Sequence, residues 1–522
     1  MTRQSQYQPL ALIGLDAAEI SVIERGISEG WLPNLARLLG DGSLTRLRSD
    51  SDILVGSIWP SFYSGQLPPE HGVFGVVQWR ADQMRHERPD DRGWIDTTPF
   101  YRSFGRGGPR VLAIDAPFAP SAQSFPGTEI LSWNAHATRG RRGSWPEDLV
   151  DQVKRRHGSP KMRDEIYGPQ TAEGLLRLRD RLIASTHQQS RLALDLIANN
   201  EWDMLLLGFG AIHRAGHKLQ APMILRRASD NPEIGEALKE VYRVSDESVG
   251  EVVAALPDDC RIIIFSLNGM VPNTSHHFLM PEMLRRILED DTSDTTDVPL
   301  PLPSPLHRVR AAIPLEWRSA AKEVLPVSVK DAMGRFWRRA EARDWSNVKA
   351  FRLIGSDFEG QIQINLRGRE RDGVVEPGDE YEALCDKIVQ GLPSFVDEQS
   401  GEPIIAAILR SSELWPEAHQ RLNLPDLLVQ WSHRSPVGLT ALRSPRYGAF
   451  RNRWPERPPD GRSGHHQPIG WVFAQNASSA KSDTEHPVQD LTATVFAHFG
   501  MPVPEGMRGS PINELLSQCE SV

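Results

Sequence analysis

Short apolar runs alternate with amphipathic helical patterns along most of this chain. Runs of this length, rich in Val, Ile and Leu and bounded by Gly or polar residues, predict buried strands. The runs cover residues 10–15, 111–114, 129–132, 204–207, 261–265, 361–364, 404–408 and 426–429. Helical patterns lie between many of them, at residues 33–39, 190–198 and 236–256 and from about residue 20. This alternation predicts an α/β fold with a mainly parallel sheet and helices on both faces.

The composition narrows the class of protein. With 39% hydrophobic and 24% charged residues it is ordinary for a globular chain, and the net charge of -9 argues against general nucleic-acid binding. No apolar run reaches membrane-spanning length, and residues 1–9 lack the apolar core of a signal peptide. Cys260, Cys385 and Cys519 show no metal-ligand or redox spacing. We therefore expect a cytoplasmic protein without a membrane segment, whose thiols are structural.

The length of 522 residues admits several domains or one large α/β domain with insertions. The α/β pattern returns between residues 467 and 511, which favours a single domain over residues 1–522. Residues 290–305 are rich in Asp, Thr, Ser and Pro and predict an exposed loop, and an Arg-rich helical pattern follows over 306–343. We therefore expect a surface insertion or cap at residues 286–345.

Two histidines, His213 and His217, follow one of the predicted strands directly. Four residues make about one helical turn, so both rings can face the same point just beyond the strand end. Neutral imidazole is the commonest metal ligand, and open α/β sheets place their sites at the carboxyl ends of strands. Surface histidines also occur at this spacing by chance. The spacing alone leaves both interpretations open.

Asp16 ends the first predicted strand, where a carboxylate can either hold a cation or cap the next helix. The segment that follows later brings Ser57, Ser61 and Ser64 close to a possible helix start. Free backbone N–H groups at a helix start favour an oxyanion. Serines beside proline are also common in turns, so this segment is a candidate only in combination with other residues.

A second pair of histidines, His465 and His466, lies in a loop bounded by Gly and Pro at residues 464–470. With His213 and His217, one of them would complete a three-histidine site with a position left for water or substrate. That is the usual pattern of a catalytic zinc. The adjacent pair at residues 276 and 277 is interpreted as loop residues or as residues that support the ligands.

These segments resemble the alkaline phosphatase superfamily, in its type I phosphodiesterase/nucleotide pyrophosphatase and predicted phosphohydrolase/phosphomutase branch. The stretch that ends at Asp16 is similar to the family's first metal carboxylate, and residues 64–73 are similar to its TG-x-x-P-x-x-HG signature. Further similar stretches lie at residues 344–346, 364–369, 377–381 and 500–504. The likeness covers nearly the whole chain and implies an alkaline-phosphatase-like core with cap insertions.

The resemblance also implies a divalent metal, which we predict to be zinc. One metal position of the family uses an acidic residue, a His four residues later and a His near the C-terminus. This chain is similar there, with His213 in place of the acid, followed by His217 and His466. We therefore expect one well-formed metal site at these three residues.

The family's second metal position is only partly kept. It uses the early carboxylate, here Asp16, together with an adjacent Asp-His pair, and this chain has Leu267 and Asn268 at the pair. Leucine cannot coordinate a cation, and a neutral amide is a weak replacement for imidazole at a zinc site. The resemblance therefore implies Asp16 as a metal residue without a complete second site.

The family's nucleophile position is altered as well. Counted back from Gly65, its hydroxyl residue falls near Val55, which carries no nucleophilic atom. The nearest hydroxyl belongs to Ser57, which is the predicted nucleophile, ahead of Ser61 and Ser64. Direct attack by water is the alternative if Ser57 is only a contact residue.

The function that the resemblance implies is metal-dependent hydrolysis of phosphate mono- or diesters or of sulfate esters, with a small molecule as substrate. The candidate substrate contacts are Asn268, Arg214 and Arg462. The two arginines are candidates because guanidinium groups match phosphate geometry. The alternative is a family member that keeps the fold, has lost turnover and acts as a binding or regulatory protein. Val55 and the Leu267-Asn268 pair favour this alternative. The exchange of an acid for His213 argues against it because it strengthens a metal position.

Overall fold

The computed structural model describes residues 6–40, 42–87, 98–105, 107–135, 143–162, 170–220, 232–292, 345–354, 359–416, 424–475 and 481–516. The strands are β1 (Leu10–Leu15), β2 (Gly42–Arg48), β3 (Gln78–Arg80), β4 (Arg85–Glu87), β5 (Val111–Ile114), β6 (Gly127–Leu131), β7 (Gly143–Trp145), β8 (Met204–Phe209), β9 (Arg261–Ser266), β10 (Gly269–Pro272), β11 (Ala350–Arg352), β12 (Gly360–Ile364), β13 (Val396–Asp397), β14 (Ile405–Arg410), β15 (Leu427–Trp431), β16 (Ala441–Ser444), β17 (Gly448–Arg451), β18 (Gly464–Gln467), β19 (Ile469–Gln475) and β20 (Lys481–Pro487).

The helices alternate with these strands along the chain. They are α1 (Ile20–Ser28), α2 (Pro33–Gly40), α3 (Ile58–Ser64), α4 (Pro68–His71), α5 (Leu149–His157), α6 (Ala172–Asn199), α7 (Ala211–Leu219), α8 (Pro232–Ala254), α9 (Met280–Glu289), α10 (Asp379–Gly391), α11 (Ser411–Leu414), α12 (Val488–His498) and α13 (Asn513–Leu516). Short 3-10 turns cover Val55–Ser57, Phe100–Arg102 and Leu392–Ser394.

A nine-stranded sheet forms the centre of the molecule, in the order β20-β2-β19-β9-β1-β8-β5-β6-β7. Its middle strands, β9, β1, β8, β5 and β6, are parallel, and β19 and β7 run antiparallel to their neighbours. Every residue of β1, β8 and β9 is buried, as expected for strands that are covered on both faces. The prediction of an α/β fold with a mainly parallel sheet is confirmed.

The side chains of β1 alternate between two apolar layers. Ile13 packs with the layer that contains α1, α2, α6, α7 and α8, and Leu12 packs with the layer that contains α3, α12 and α13. This alternation follows from the pleat, because successive side chains of a strand point to opposite faces. Both layers leave the carboxyl ends of the middle strands at one edge of the sheet.

A second, four-stranded antiparallel sheet has the order β11-β12-β15-β14 and packs with α9 and α10 around its own apolar core. The predicted strands at residues 361–364, 404–408 and 426–429 exist, but they belong to this sheet and not to the parallel one. The predicted insertion at residues 286–345 falls mostly outside the described residues, which stop at residue 292 and resume at 345. The single domain over residues 1–522 stays a prediction.

Three smaller pairings complete the sheets: β10 with β18, β3 with β4, and β13 with β16 and β17. Within the part of the chain that the structure describes, no helix is long and apolar enough to cross a membrane. Cys260 and Cys385 are buried free thiols, and burial raises the pKa of each to about 12.

Candidate metal centre

Two imidazoles of the site lie on α7, which begins directly beyond strand β8. A Cβ at Gly208 would lie 2.7 Å from the carbonyl oxygen of Asp115, so glycine lets β8 pass this close to the end of β5. The helix starts at Ala211, and His213 and His217 share one of its faces, both buried. The predicted pair of histidines beyond a strand end is therefore present.

Asp16 is held at the same edge of the sheet, where its backbone N–H donates to the carbonyl of Phe209 at 3.0 Å. Its Oδ2 lies 2.7 Å from Nδ1 of His213, and its Oδ1 accepts from Nε1 of Trp59 at 2.9 Å. An ionised carboxylate only accepts hydrogen bonds, so His213 carries a proton on Nδ1. Asp16 thus orients His213, and its predicted role as a metal residue stays a prediction.

His217 is oriented in the same way by a backbone carbonyl. Its Nδ1 lies 3.2 Å from the oxygen of Gly464, which can only accept, so Nδ1 carries the proton. Nε2 of His213 and Nε2 of His217 then face each other at 2.9 Å, each with a lone pair when neutral. Facing lone pairs repel unless a proton or a cation lies between them. Histidines that bind metals are commonly held by a carboxylate or a backbone carbonyl in this manner.

The third imidazole comes from the pairing of β10 with β18, in which Met270 lies opposite His466. The ring centroid of His466 lies 4.6 Å from that of His213 and 4.9 Å from that of His217. One ring nitrogen from each of the three lies within 4.8 Å of the others, and all three side chains are buried. Three imidazoles fit one divalent ion such as zinc with a coordination position left over.

A small cavity of about 20 Å³ adjoins the cluster. Its described lining residues are Asp16, Val55, Ile58, Trp59, Val76, Phe118, His213, Asn268 and His466. A space of this size holds roughly one water molecule. Asp16, Asn268 and the imidazoles form the polar wall, whereas the remaining wall is largely apolar.

The sequence matches the model of one protein family, described as type I phosphodiesterase / nucleotide pyrophosphatase, over residues 10–437. The chain belongs to this family. Its members are phosphoester hydrolases, and the resemblance that the sequence motifs indicated is confirmed. No curated protein matches the chain.

Solved structures of the alkaline phosphatase superfamily share the fold. Wild-type alkaline phosphatase PafA has a TM-score of 0.55 at 13% identity, and the match covers 98% of this chain and 99% of PafA. An inactive variant of murine ectonucleotide pyrophosphatase / phosphodiesterase 5 in complex with AMP has a TM-score of 0.50 at 11% identity, with 98% and 100% covered. Phosphonoacetate hydrolase from Sinorhizobium meliloti, in complex with phosphonoformate, has a TM-score of 0.50 at 12% identity, with 94% of each chain covered. The alkaline-phosphatase-like α/β fold expected from the sequence is confirmed.

In this type I phosphodiesterase family member, the predicted nucleophile Ser57 contacts a backbone carbonyl. Ser57 is fully buried, and its Oγ donates to the carbonyl of Leu54 at 2.7 Å. It does not belong to the described cavity lining, whereas Val55, two residues earlier, does. The role of Ser57 as nucleophile stays a prediction, and its hydroxyl group is engaged by Leu54.

The remaining serines of the segment are also engaged elsewhere. Ser64 Oγ donates to the carbonyl of Pro60 at 2.6 Å. His71, from the family's HG signature, accepts from the N–H of Val73 on Nδ1 at 3.0 Å, so its proton is on Nε2. Nε2 lies 2.9 Å from Ser61 Oγ and donates to it. The signature thus ties α4 to α3 and supplies no base to Ser61.

The two candidate arginines are not among the described lining residues of the cavity. Arg214 donates to the backbone carbonyls of Asn134 and Ala135 at 2.8 and 2.9 Å. Arg462 lies in the loop before β18, where its positive charge helps to lower the pKa of His277 after the larger effect of burial. Of the three candidate substrate contacts, only Asn268 reaches the cavity.

The sequence did not reveal three further parts of the site. Trp59 lies inside the candidate serine segment, but its role as a donor to Asp16 carries no motif. Phe118 lines the cavity with a φ of 57°, a conformation that is rare outside glycine and is often found at functional sites. Gly464 contributes through its carbonyl oxygen, which a sequence pattern cannot show.

The second sheet also reaches the cavity wall. Glu359, directly before β12, accepts a hydrogen bond from the backbone N–H of Val55. Burial raises the pKa of Glu359 to about 8, and the nearby Asp52 adds to the shift while Arg352 opposes it. The protonated acid is therefore favoured in this contact up to mildly alkaline pH.

Proposed function

We propose that this chain is a hydrolase of small phosphate or sulfate esters that uses one divalent metal ion, zinc, held by His213, His217 and His466. The observation that carries the proposal is the pair of Nε2 atoms that face each other at 2.9 Å. Asp16 and the carbonyl of Gly464 hold the opposite nitrogen of each ring, which leaves both lone pairs directed into the cluster. Membership in a family of phosphoester hydrolases supports the same chemistry.

A bound divalent ion would polarise the ester oxygen and stabilise the charge that develops in hydrolysis. The residues of the chain supply the rest of the arrangement. Asp16 fixes the orientation of His213, and Trp59 fixes Asp16. Val55, Ile58 and the other apolar wall residues limit the water that reaches the reacting group, which strengthens electrostatic interactions there.

We propose that water is the nucleophile. The cavity of about 20 Å³ has room for one water molecule, and Ser57 Oγ is bound to a backbone carbonyl instead of facing it. Water would add to the phosphorus or sulfur centre while the ester bond breaks, and the proton that water gives up would leave with the alcohol. Within this proposal Asn268 is the candidate substrate contact, because it lines the cavity.

The first experiment measures the zinc content of the purified wild type and of His217→Ala. Both proteins are assayed against p-nitrophenyl phosphate, its phosphodiester analogues and p-nitrophenyl sulfate. We expect about one zinc per chain in the wild type, and we expect both zinc and turnover to be lost in His217→Ala because one of three ligands is gone. His498→Ala is the matched control, since His498 contacts the carbonyl of Gln8 far from the cluster. A wild type that takes up no zinc even when zinc is supplied would overturn the proposal.

A second candidate function is that of a family member with lost turnover, which binds its ligand or regulates a partner. The observation that favours it is Val55, which lines the cavity and offers no hydroxyl. Under this proposal the metal cluster persists and zinc is bound, but the esters are not cleaved.

Two substitutions separate the candidates. Ser57→Ala removes only the hydrogen bond to Leu54, so we expect turnover within about twofold of the wild type and a stability loss of about 1 kcal/mol. Val55→Thr keeps the shape of the side chain and adds a hydroxyl to the cavity. If the second candidate is right, the wild type is inert with zinc bound and Val55→Thr gains turnover. Loss of turnover in a folded Ser57→Ala would instead restore Ser57 as the nucleophile and contradict attack by water.

A further inference from the structure

The side-chain amide of Asn268 contacts two acceptors at once. Its Nδ2 lies 3.0 Å from the carbonyl oxygen of Gly269 and 2.7 Å from Nδ1 of His466. A backbone carbonyl can only accept, so the atom between the two contacts is the amide nitrogen and not the amide oxygen. Asn268 therefore donates to Nδ1 of His466.

This donation fixes the proton of His466. A neutral imidazole that accepts on Nδ1 carries its proton on Nε2. His213 and His217 have the opposite arrangement, because Asp16 and the carbonyl of Gly464 hold their Nδ1 protons. Asn268 is 1% exposed and His466 is 3% exposed, so bulk water has little access to rearrange the contact. Two rings thus present lone pairs to the cluster, while the third presents an N–H.

We propose that Asn268 is a positioning residue that sets the tautomer of His466. The proton on Nε2 then prevents His466 from acting as the third metal ligand through that atom. His213 and His217 would be ready to hold a metal ion, whereas His466 would hold it through Nε2 only after the amide turns to present Oδ1 to a protonated Nδ1. Turning places Oδ1 against the oxygen of Gly269, two acceptors that repel, so the turn opposes metal binding. The inference rests on the metal site of the proposed function.

A carboxylate at position 268 would make the turn of the amide, which opposes metal binding, unnecessary. It would accept from Nδ1 of His466 just as Asp16 accepts from Nδ1 of His213. All three rings would then share one tautomer and present Nε2 lone pairs. We therefore expect Asn268→Asp to bind zinc more tightly than the wild type, by a factor on the order of 10 to 100, the range found for groups that orient metal ligands.

The experiment has two parts on the full chain. The first records the histidine tautomers of the metal-free wild type by long-range ¹H–¹⁵N correlation after selective ¹⁵N-histidine labelling, with His466→Gln for assignment. We expect the Nε2–H form for His466 in the wild type and the Nδ1–H form in Asn268→Asp. The second part measures zinc affinity by competition with a chromophoric chelator. Asn273→Asp is the matched control, because it adds the same charge beyond β10 where the side chain contacts the carbonyl of Arg462 and the N–H of Ser275.

The outcomes separate this inference from the proposed function. An Nδ1–H tautomer of His466 in the wild type overturns the inference whatever the metal does. Equal tightening in Asn268→Asp and Asn273→Asp also overturns it, because added charge alone would then explain the gain. If neither variant folds, the wild-type tautomer still decides. Failure of the wild type to bind zinc counts against the proposed function, while the tautomer measurement remains valid without metal.

Discussion

At the scale of single residues, Asp16 shows what the sequence could and could not predict. Its position at the end of a strand was predictable, because a buried apolar run leads into a lone carboxylate. Its hydrogen-bond partners were not, since His213 and Trp59 approach it from other parts of the chain. The carboxylate holds the ring of His213 in place. The local pattern offered Asp16 as a metal ligand or a helix cap, and it gave no sign of this contact with His213.

Asp16→Asn is expected to weaken zinc binding about 10- to 100-fold. An asparagine accepts only on Oδ1, so either Trp59 or His213 loses its acceptor, and the charge-assisted hydrogen bond is lost. The measurement is the zinc dissociation constant by chelator competition. Asp246→Asn is the matched control, because Asp246 is a buried carboxylate that accepts from the N–H groups of Asn34 and Leu35, away from the cluster. Equal zinc affinity in wild type and Asp16→Asn would show that Asp16 does not orient His213.

At the scale of elements, the site depends on how β18 meets α7. The strand–helix unit of β8 and α7 was predictable from an apolar run and helical spacing. Residues 464–470 were predicted as a loop, and this was wrong in part, since Gly464–Gln467 forms strand β18 opposite β10. A strand that pairs with a segment nearly two hundred residues away, as Met270 with His466, leaves no local pattern. The resemblance to the family, and not periodicity, indicated that His466 joins the other two rings.

Gly464→Ala tests this contact between β18 and α7. A Cβ at position 464 would lie 2.4 Å from the carbonyl oxygen of Gly216, and backbone atoms cannot move aside cheaply. We expect a loss of about 1–3 kcal/mol in the free energy of unfolding, measured by chemical denaturation. Zinc affinity should fall as well, because the carbonyl of Gly464 shifts away from His217.

Gly235→Ala is the control for Gly464→Ala, because here an added Cβ should raise the stability of the protein. Gly235 lies within α8 with nothing within 4 Å of an added Cβ, so alanine should stabilise the protein by up to about 1 kcal/mol. A Gly464→Ala protein as stable as the wild type would mean that β18 does not rest tightly on α7.

At the scale of the whole molecule, two sheets with separate apolar cores meet beside the cavity. The strands of the second sheet were predictable, but the sheet that each of them joins was not. An apolar run predicts a strand but not the strand with which it pairs. Parallel or antiparallel pairing depends on the connections between strands, which local patterns do not show. The contact between Glu359 and Val55 joins the second sheet to the cavity wall. A buried glutamate beside a backbone N–H could not have been found from the sequence.

The contact between Glu359 and the N–H of Val55 should make the protein less stable as the pH rises. Burial raises the pKa of Glu359 from 4.5 to about 8, so the folded state prefers the protonated acid. The contribution of Glu359 to the free energy of unfolding is therefore fully present below pH 4.5 and is lost as the pH rises through 8. Glu359→Gln stays neutral and can still accept from Val55. We expect its thermal midpoint to match the wild type near pH 5 and to exceed it increasingly toward pH 9. Glu236→Gln, on the exposed side of α8, should show no such trend, and a constant difference between Glu359→Gln and wild type would mean that Glu359 is ionised in the fold throughout.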